Sequence, residues 1–316
     1  MLKRTIALPQ IIKRLGDFIE RERAKHFLSH FDNISIGKKG IMLIENGNSD
    51  YQTFNASFLQ NMVSLMSYSI VKGYLPHIDL KNRKDGWINW ETFFEQPFNT
   101  QKGDVTIVCD RTDYVLSGNF RTVYQPRTLR LLCDLFKHLV RLNQETKEYI
   151  NKDYTSIINP DMKVLGVCCR GTDYLKLRPA YHPIQPDIKD IILEAQKLIG
   201  EYGFSHIYLA TEEEDYDILF RKIFGDMVIT NKRHYIGQKF HSQGLSWCHQ
   251  VNLGIKNESY IKGLEYLSSM VILSRCKGLI GGNCGGSKLA LMLSNLDYEY
   301  WHLWDLGLYP SNKKTQ

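Results

Sequence analysis

What most restricts the fold of this chain is a series of short apolar stretches, each four to six residues long, set between segments of helical period. Val164–Cys169 (VLGVCC), His206–Ala210, Met227–Thr230, Gly278–Gly281 and Tyr298–Leu303 read as strands. Between them Pro186–Ile199, Glu214–Phe224, Ile261–Ser274 and Ser287–Leu293 read as helices. Alternation of this kind demands parallel strands joined by helical crossovers. An earlier series precedes it: strand Gly40–Glu45, helix Phe54–Val71 ended by Gly73, strand Tyr74–Leu80, a strand (VTIVC) within Gln101–Asp110, and one long helix over Thr128–Ile150. Asn159-Pro160 separates the two. The expected architecture is therefore α/β with two Rossmann-like domains, residues 1–160 and 161–316, and a cleft between them. Asn231–Glu258 has no clear period and holds three glycines, so it reads as a long loop of the kind that often serves a substrate.

Composition narrows the function. The 316 residues are 43% hydrophobic, enough for two ordinary cores, and the net charge of +6 suits an anionic partner without marking a nucleic-acid protein. The seven cysteines are odd in number, and Cys168 and Cys169 are adjacent, which fits neither a disulfide framework nor paired zinc ligands. No metal site and no cofactor are expected, and the reading favours a reducing, cytoplasmic setting. No apolar run reaches the ~18 residues of a membrane span. Pro9–Phe31 has the spacing of an amphipathic helix, and Met1–Phe31 carries seven Lys and Arg against three acidic residues. That helix either packs on the body of the protein or meets an anionic membrane face as a peripheral contact.

Three strand ends carry chemistry. Val164–Cys169 runs into Arg170-Gly171-Thr172-Asp173, and in open α/β sheets ligands lie at the carboxyl ends of strands. A guanidinium there can clamp a diphosphate and stabilise it as a leaving group, or simply pair with Asp173. Gly281–Lys288 (GGNCGGSK) places glycines between a strand and a helix, where free amides favour an anion. Its Ser-Lys order is the reverse of a P-loop, which argues against a kinase or nucleotide triphosphatase. Thr211-Glu212-Glu213-Glu214-Asp215 follows a third strand, and Asp215 with Asp217 forms a DxD that would suit a divalent ion on a nucleotide diphosphate. His182 follows the arginine motif by a short loop and is a candidate phosphate donor or proton shuttle. The aromatic tail Trp301–Tyr309 reads as packing, and no GxSxG nucleophile is present.

Taken in order, LGVCCRGTDY, HPIQP, IYLATEEE and GLEYLSSMVILSRCKGLIGGNCGGS resemble the fucosyltransferase-like superfamily of glycosyltransferases, which includes α-1,6- and protein O-fucosyltransferases and many bacterial surface-polysaccharide enzymes. The resemblance spans Leu165–Tyr309, about half the chain, and implies a GT-B-like fold, a nucleotide-sugar donor (GDP-fucose in characterised branches), and inversion without a metal. It places Arg170, Thr172 and Asp173 at the donor diphosphate, Thr211 and Glu212 near the nucleoside, and Gly285, Gly286 and Ser287 on the diphosphate turn. Departures are Cys168 where the family has histidine, Gly171 where a second arginine is frequent, Arg178 where an acid is proposed as base, and Ser269 where a carboxylate meets guanine, with Glu265 one turn away. The expected activity is transfer of a sugar from a GDP-sugar to a hydroxyl of a glycan or lipid-linked glycan acceptor. Asp173 or His182 would be the base. The rivals are a metal-dependent transferase using the DxD and a non-catalytic binding module.

Overall fold

The computed structural model describes residues 37–45, 54–80, 89–110, 126–245 and 248–310. The expected helix Pro9–Phe31, and with it the membrane contact, lies outside the described residues. The elements are β1 (Ile41–Ile44), α1 (Ala56–Val71), β2 (Leu75–Ile78), β3 (Val105–Val108), α2 (Pro126–Leu139) and α3 (Gln144–Ile157), then β4 (Val164–Cys169), α4 (Thr172–Lys176), α5 (Ile188–Tyr202), β5 (His206–Thr211), α6 (Glu214–Phe224), β6 (Val228–Ile229), α7 (Gly237–Gln243), α8 (Glu258–Ser274), β7 (Gly278–Gly282), α9 (Gly285–Leu293) and β8 (Tyr300–Trp304). Strands β2-β1-β3 form one parallel sheet, and β6-β5-β4-β7-β8 form a second.

The second sheet is sandwiched, which explains why its strands read as unbroken apolar runs. Every residue of β4 and β7 is buried. Period two survives inside the run: Leu165, Val167 and Cys169 join the core under α5 and α6, whereas Val164 and Cys168 join the core under α8 and α9. The core on the α8 and α9 side continues without a break into the first sheet, through Met42, Ile44, Leu59, Met62, Leu132 and Phe136. Helix α9 packs on α1 and α2, and α3 packs on α8.

The single helix expected over Thr128–Ile150 is two helices. Asn143 breaks it: its Oδ1 accepts from the Thr146 amide at 2.9 Å to cap α3, and its Nδ2 donates to the carbonyls of Glu91 (2.8 Å) and Thr92 (3.1 Å). An asparagine offering the backbone these alternatives outweighs an apolar period that runs through it. The expected loop Asn231–Glu258 is also partly structured, containing α7 and a 3-10 turn at Cys248–Gln250.

A buried polar knot ties α3 to the second sheet. Asp153 Oδ2 accepts from Asn231 Nδ2 (3.1 Å) and Ser268 Oγ (2.5 Å), while Asn231 Oδ1 accepts from Tyr208 Oη (2.7 Å) and Ser269 Oγ (3.2 Å). Removing the shared acceptor leaves two buried donors unmatched. Asp153→Ala should therefore lower the unfolding free energy by about 1–3 kcal/mol in urea titrations. A loss below about 0.5 kcal/mol, the range of ordinary surface substitutions, would show that water replaces the carboxylate.

Candidate active site at the switch point of the second sheet

Because the chain winds from β4 outward through β5 and β6, then returns to β7 and β8, the order of the sheet reverses between β4 and β7. Helix α5 covers one face there and α8 with α9 the other, so the carboxyl ends of β4 and β7 open a crevice. It is a tight niche with no room for a water molecule, lined by Cys169, Arg170, Gln185, Pro186, Tyr216 and Gly282, among others. Gly281 allows the approach of the two strands, since a Cβ there would lie 2.5 Å from the Cys168 carbonyl oxygen.

Arg170 is the cation of this crevice. Its Nη2 donates to Asp173 Oδ1 at 2.7 Å and to Cys248 Sγ at 2.9 Å, its Nη1 lies 3.4 Å from Glu212 Oε1, and the guanidinium stands 5.2 Å over the Tyr174 ring. Asp173 is 2% exposed and also accepts from Thr172 Oγ1 at 3.0 Å. It therefore positions the guanidinium instead of standing free as a base. His182 meets Tyr174 edge-on at 5.5 Å, with its Nδ1 3.1 Å from the Ala180 carbonyl.

Two buried glutamates shape the turn after Arg170. Glu212 Oε1 accepts from the Gly171 amide (2.8 Å) and Thr172 Oγ1 (3.0 Å), and Glu213 Oε1 accepts from the Thr172 amide (2.5 Å) and lies 3.3 Å from His241 Nε2. Burial, reinforced by the neighbouring Glu212, raises the Glu213 pKa against the opposing pull of the Thr172 amide and His241. A Cβ on Gly171 or Gly237 would run into the Glu213 side chain, so both glycines make room for it. Thr172 itself has φ of +42°, a strained value for a β-branched residue and one typical of functional turns.

On the β7 side, Cys284 caps α9, and the amides of Gly285 and Gly286 in its first turn have no intrahelical acceptor. Both glycines are half-buried. Ser287 is fully buried: its hydroxyl donates to the Gly282 carbonyl (2.5 Å) and accepts from the Cys284 amide (3.2 Å), so it builds the turn. The adjoining Cys168 thiol, followed by Ser287 and Arg170, holds Cys284 down to about 6 despite burial. Burial holds Lys288 down to about 8, against the opposing pull of Cys284 and Asp305.

Other residues singled out from sequence take different places. Thr211 Oγ1 accepts from the Glu213 amide (3.1 Å), a turn-shaping role. Glu212 turns its Oε1 to Arg170, the Gly171 amide and the Thr172 hydroxyl. Glu265 is closed on His234, accepting from its amide (2.9 Å) and lying 2.7 Å from its Nδ1. The DxD is split, because Asp217 is gripped by Arg221 Nε with both oxygens at 3.0 Å. Gln185 stands within HPIQP and Glu213 within the acidic run after β5, but sequence reading gives neither a role of its own. Cys248 and His241 read in sequence only as poor zinc ligands, since no second pair at ligand spacing follows them.

A doubly wound parallel sheet packed on a second parallel sheet is a GT-B-like fold. Among solved structures the chain is similar to POFUT1 in complex with GDP (8% identity, TM-score 0.50, covering 85% of this chain and 99% of that one). It is also similar to the fucosyltransferase NodZ from Bradyrhizobium (15%, 0.48, 81% and 94%) and to FUT1 of Arabidopsis thaliana in complex with GDP (9%, 0.49, 94% and 79%). At such identities the likeness establishes the fold. No family model matches the chain, and no curated protein matches it in sequence.

The buried amine gives a pH signature. With its pKa near 8 in the folded protein and 10.5 when free, Lys288 binds fewer protons folded than unfolded between those values, so stability rises with pH across that interval. Lys288→Met should remove a rise of roughly 2–3 kcal/mol from urea unfolding measured at pH 8 and pH 10. An unchanged slope would place the amine in water.

Proposed function

We propose that the chain is an inverting, metal-independent glycosyltransferase that moves a sugar, with fucose from GDP-fucose as the first candidate, from a GDP-sugar to a hydroxyl of a surface glycan or a lipid-linked glycan. The observation that carries the reading is Arg170, planted at the carboxyl end of β4 and oriented by Asp173, in a fold shared with a fucosyltransferase solved with GDP. In this reading residues 161–316 hold the donor and residues 1–160 form the acceptor side. The seven cysteines are all free thiols, which suits a cytoplasmic protein acting at the inner face of a membrane. No described helix is long and apolar enough to cross one.

The chemistry follows from charge. As the bond from the anomeric carbon to the diphosphate breaks, negative charge grows on the departing phosphate, and a fixed guanidinium with the Gly285 and Gly286 amides favours that state over the ground state. Arg170 fills the place a divalent ion takes in other transferases. Its partners Asp173 and Glu212 fix its direction before substrate arrives, so little reorganisation is needed at the moment of reaction. The acceptor hydroxyl attacks from the opposite face in one displacement, which inverts the anomeric centre, and its proton passes to solvent water.

Turnover followed by mass spectrometry over GDP-sugars and glycan acceptors tests this. Arg170→Ala should lower kcat by about 10²–10³, and Arg170→Lys by at least about tenfold, because an ammonium cannot reproduce the two-pronged contact. Activity should survive EDTA. Full activity in Arg170→Ala, or loss in EDTA restored by a divalent ion, would overturn the reading in favour of the metal-dependent rival.

A further inference from the structure

At the amino ends of β7 and β8, the end of the second sheet away from Arg170, an open groove runs where α2 meets α8 and α9. It has two lobes with about 510 Å3 and about 620 Å3 of room, and Val140, Leu293, Ser294 and Asp297 line both. Its apolar wall comes from both halves of the chain: Val140 and Leu142 follow α2, Leu293 ends α9, and Leu296 lies in the turn beyond. All four are only partly buried. Asn295 and Leu296 have φ of +55° and +62°, and this left-handed turn sets Leu296 in the wall.

Cations accompany the apolar wall. Arg275 and Lys277 line the first lobe, Arg130 and Lys137 the second, and all four are exposed. The Arg275 guanidinium stands 5.2 Å over the Tyr154 ring, and Arg130 Nη1 reaches the Asn295 carbonyl at 3.4 Å. Among the described residues none of the four is ion-paired, and Asp297 is the one acid lining the groove. Four cations against one acid, beside half-covered apolar side chains, suit an occupant that is anionic at one end and apolar at the other. Charge argues against occupants from the protein itself, because Met1–Phe31 carries seven Lys and Arg against three acids and a second copy has a net charge of +6. We propose that the groove docks anionic phospholipids, their headgroups meeting the Arg275–Lys277 and Arg130–Lys137 pairs and their acyl chains lying along Val140, Leu293 and Leu296. The basic Met1–Phe31 adds attraction to the same acidic membrane face. The donor crevice lies at the opposite end of the strands, so the two sites can fail separately.

Flotation of the full-length protein with phosphatidylcholine vesicles, with and without about 30% phosphatidylglycerol, tests this. Wild type should float only with the anionic vesicles. Arg275→Gln/Lys277→Gln and Arg130→Gln/Lys137→Gln, each shown by thermal melting to be folded, should lower the partition coefficient by about tenfold. Lys189→Gln/Lys222→Gln removes the same charge from exposed positions on α5 and α6, across the sheet, and should lower it less than about threefold. Short-chain phosphatidylglycerol should compete, and glycerol phosphate should not. GDP affinity should be unchanged in all three variants. Equal losses in the groove and control pairs would overturn the proposal, because net charge alone would then act. Unchanged flotation in both groove pairs would overturn it too, as would a wild type that floats equally on neutral vesicles or on none. Competition by glycerol phosphate as strong as by the lipid would reduce the groove to a free-phosphate site. Binding of a poly-glutamate peptide, or a wild-type dimer in sedimentation velocity, that the groove pairs abolish while flotation stands would give the face to an acidic protein or a second copy.

Discussion

A guanidinium cannot shed its proton, so wherever the fold buries Arg170 it must also supply negative charge and acceptors. That requirement organises the carboxyl edge of the second sheet. Asp173 comes from the turn that follows β4, Glu212 from the end of β5, and Cys248 from the segment between α7 and α8. Three separate stretches of chain converge on one side chain. An arrangement of that kind is weak evidence of stability, since a well-packed apolar residue would serve a core at least as well. It makes better sense as a device for holding a cation in one fixed direction.

The two glutamates at the end of β5 divide the work. Glu212 answers the charge of Arg170 and gathers the Gly171 amide and Thr172 hydroxyl, while Glu213 turns to the Thr172 amide and His241. Together they pull the backbone after β4 into a tight curl, and the positive φ of Thr172 is the strain that remains. Gly171 and Gly237 are needed because the Glu213 side chain fills the volume their Cβ atoms would take. The conformation of Arg170-Gly171-Thr172-Asp173 is therefore imposed from β5 and α7, across the sheet.

This explains which parts of the protein could be read from its sequence. The strands of the second sheet were legible because burial on both faces leaves no polar interruption, and VLGVCC, HIYLAT and GLIGG each announce themselves. Arg170 and Asp173 were legible because a charge at the end of such a run has nowhere to project but the sheet edge. The break at Asn143 was not, since Leu139 and Ile150 keep a helical period across it and the bonds that hold its Nδ2 go to Glu91 and Thr92, some fifty residues earlier. Glu212 was placed near a ligand by its position on a strand end, yet its direction depended on a partner on β4. Cys248 and His241 come from a stretch with no periodicity, and only the folded chain brings them to Arg170 and Glu213. Gln185 stands in the sequence only as one letter of HPIQP, and its place on the wall of the niche is assembled by the folded chain alone.

The glycine turn at the start of α9 links the two halves of the molecule. A Cβ on Gly285 would stand 3.1 Å from Ala56 Cβ at the first residue of α1, and one on Gly286 would stand 3.0 Å from Met270 Sδ and 3.3 Å from Tyr266 Oη on α8. The free amides thus lie where α1 of the first half abuts α8 and α9 of the second, within a core that runs continuously between the sheets. Any shift of α1 relative to α9 changes the room above those amides. On the proposed function, in which the first half receives the acceptor, that contact is where the arrival of one substrate would be felt by the site that holds the other. A close-packed core passes such a displacement on as a shift of whole elements, because it has little void space in which to absorb it.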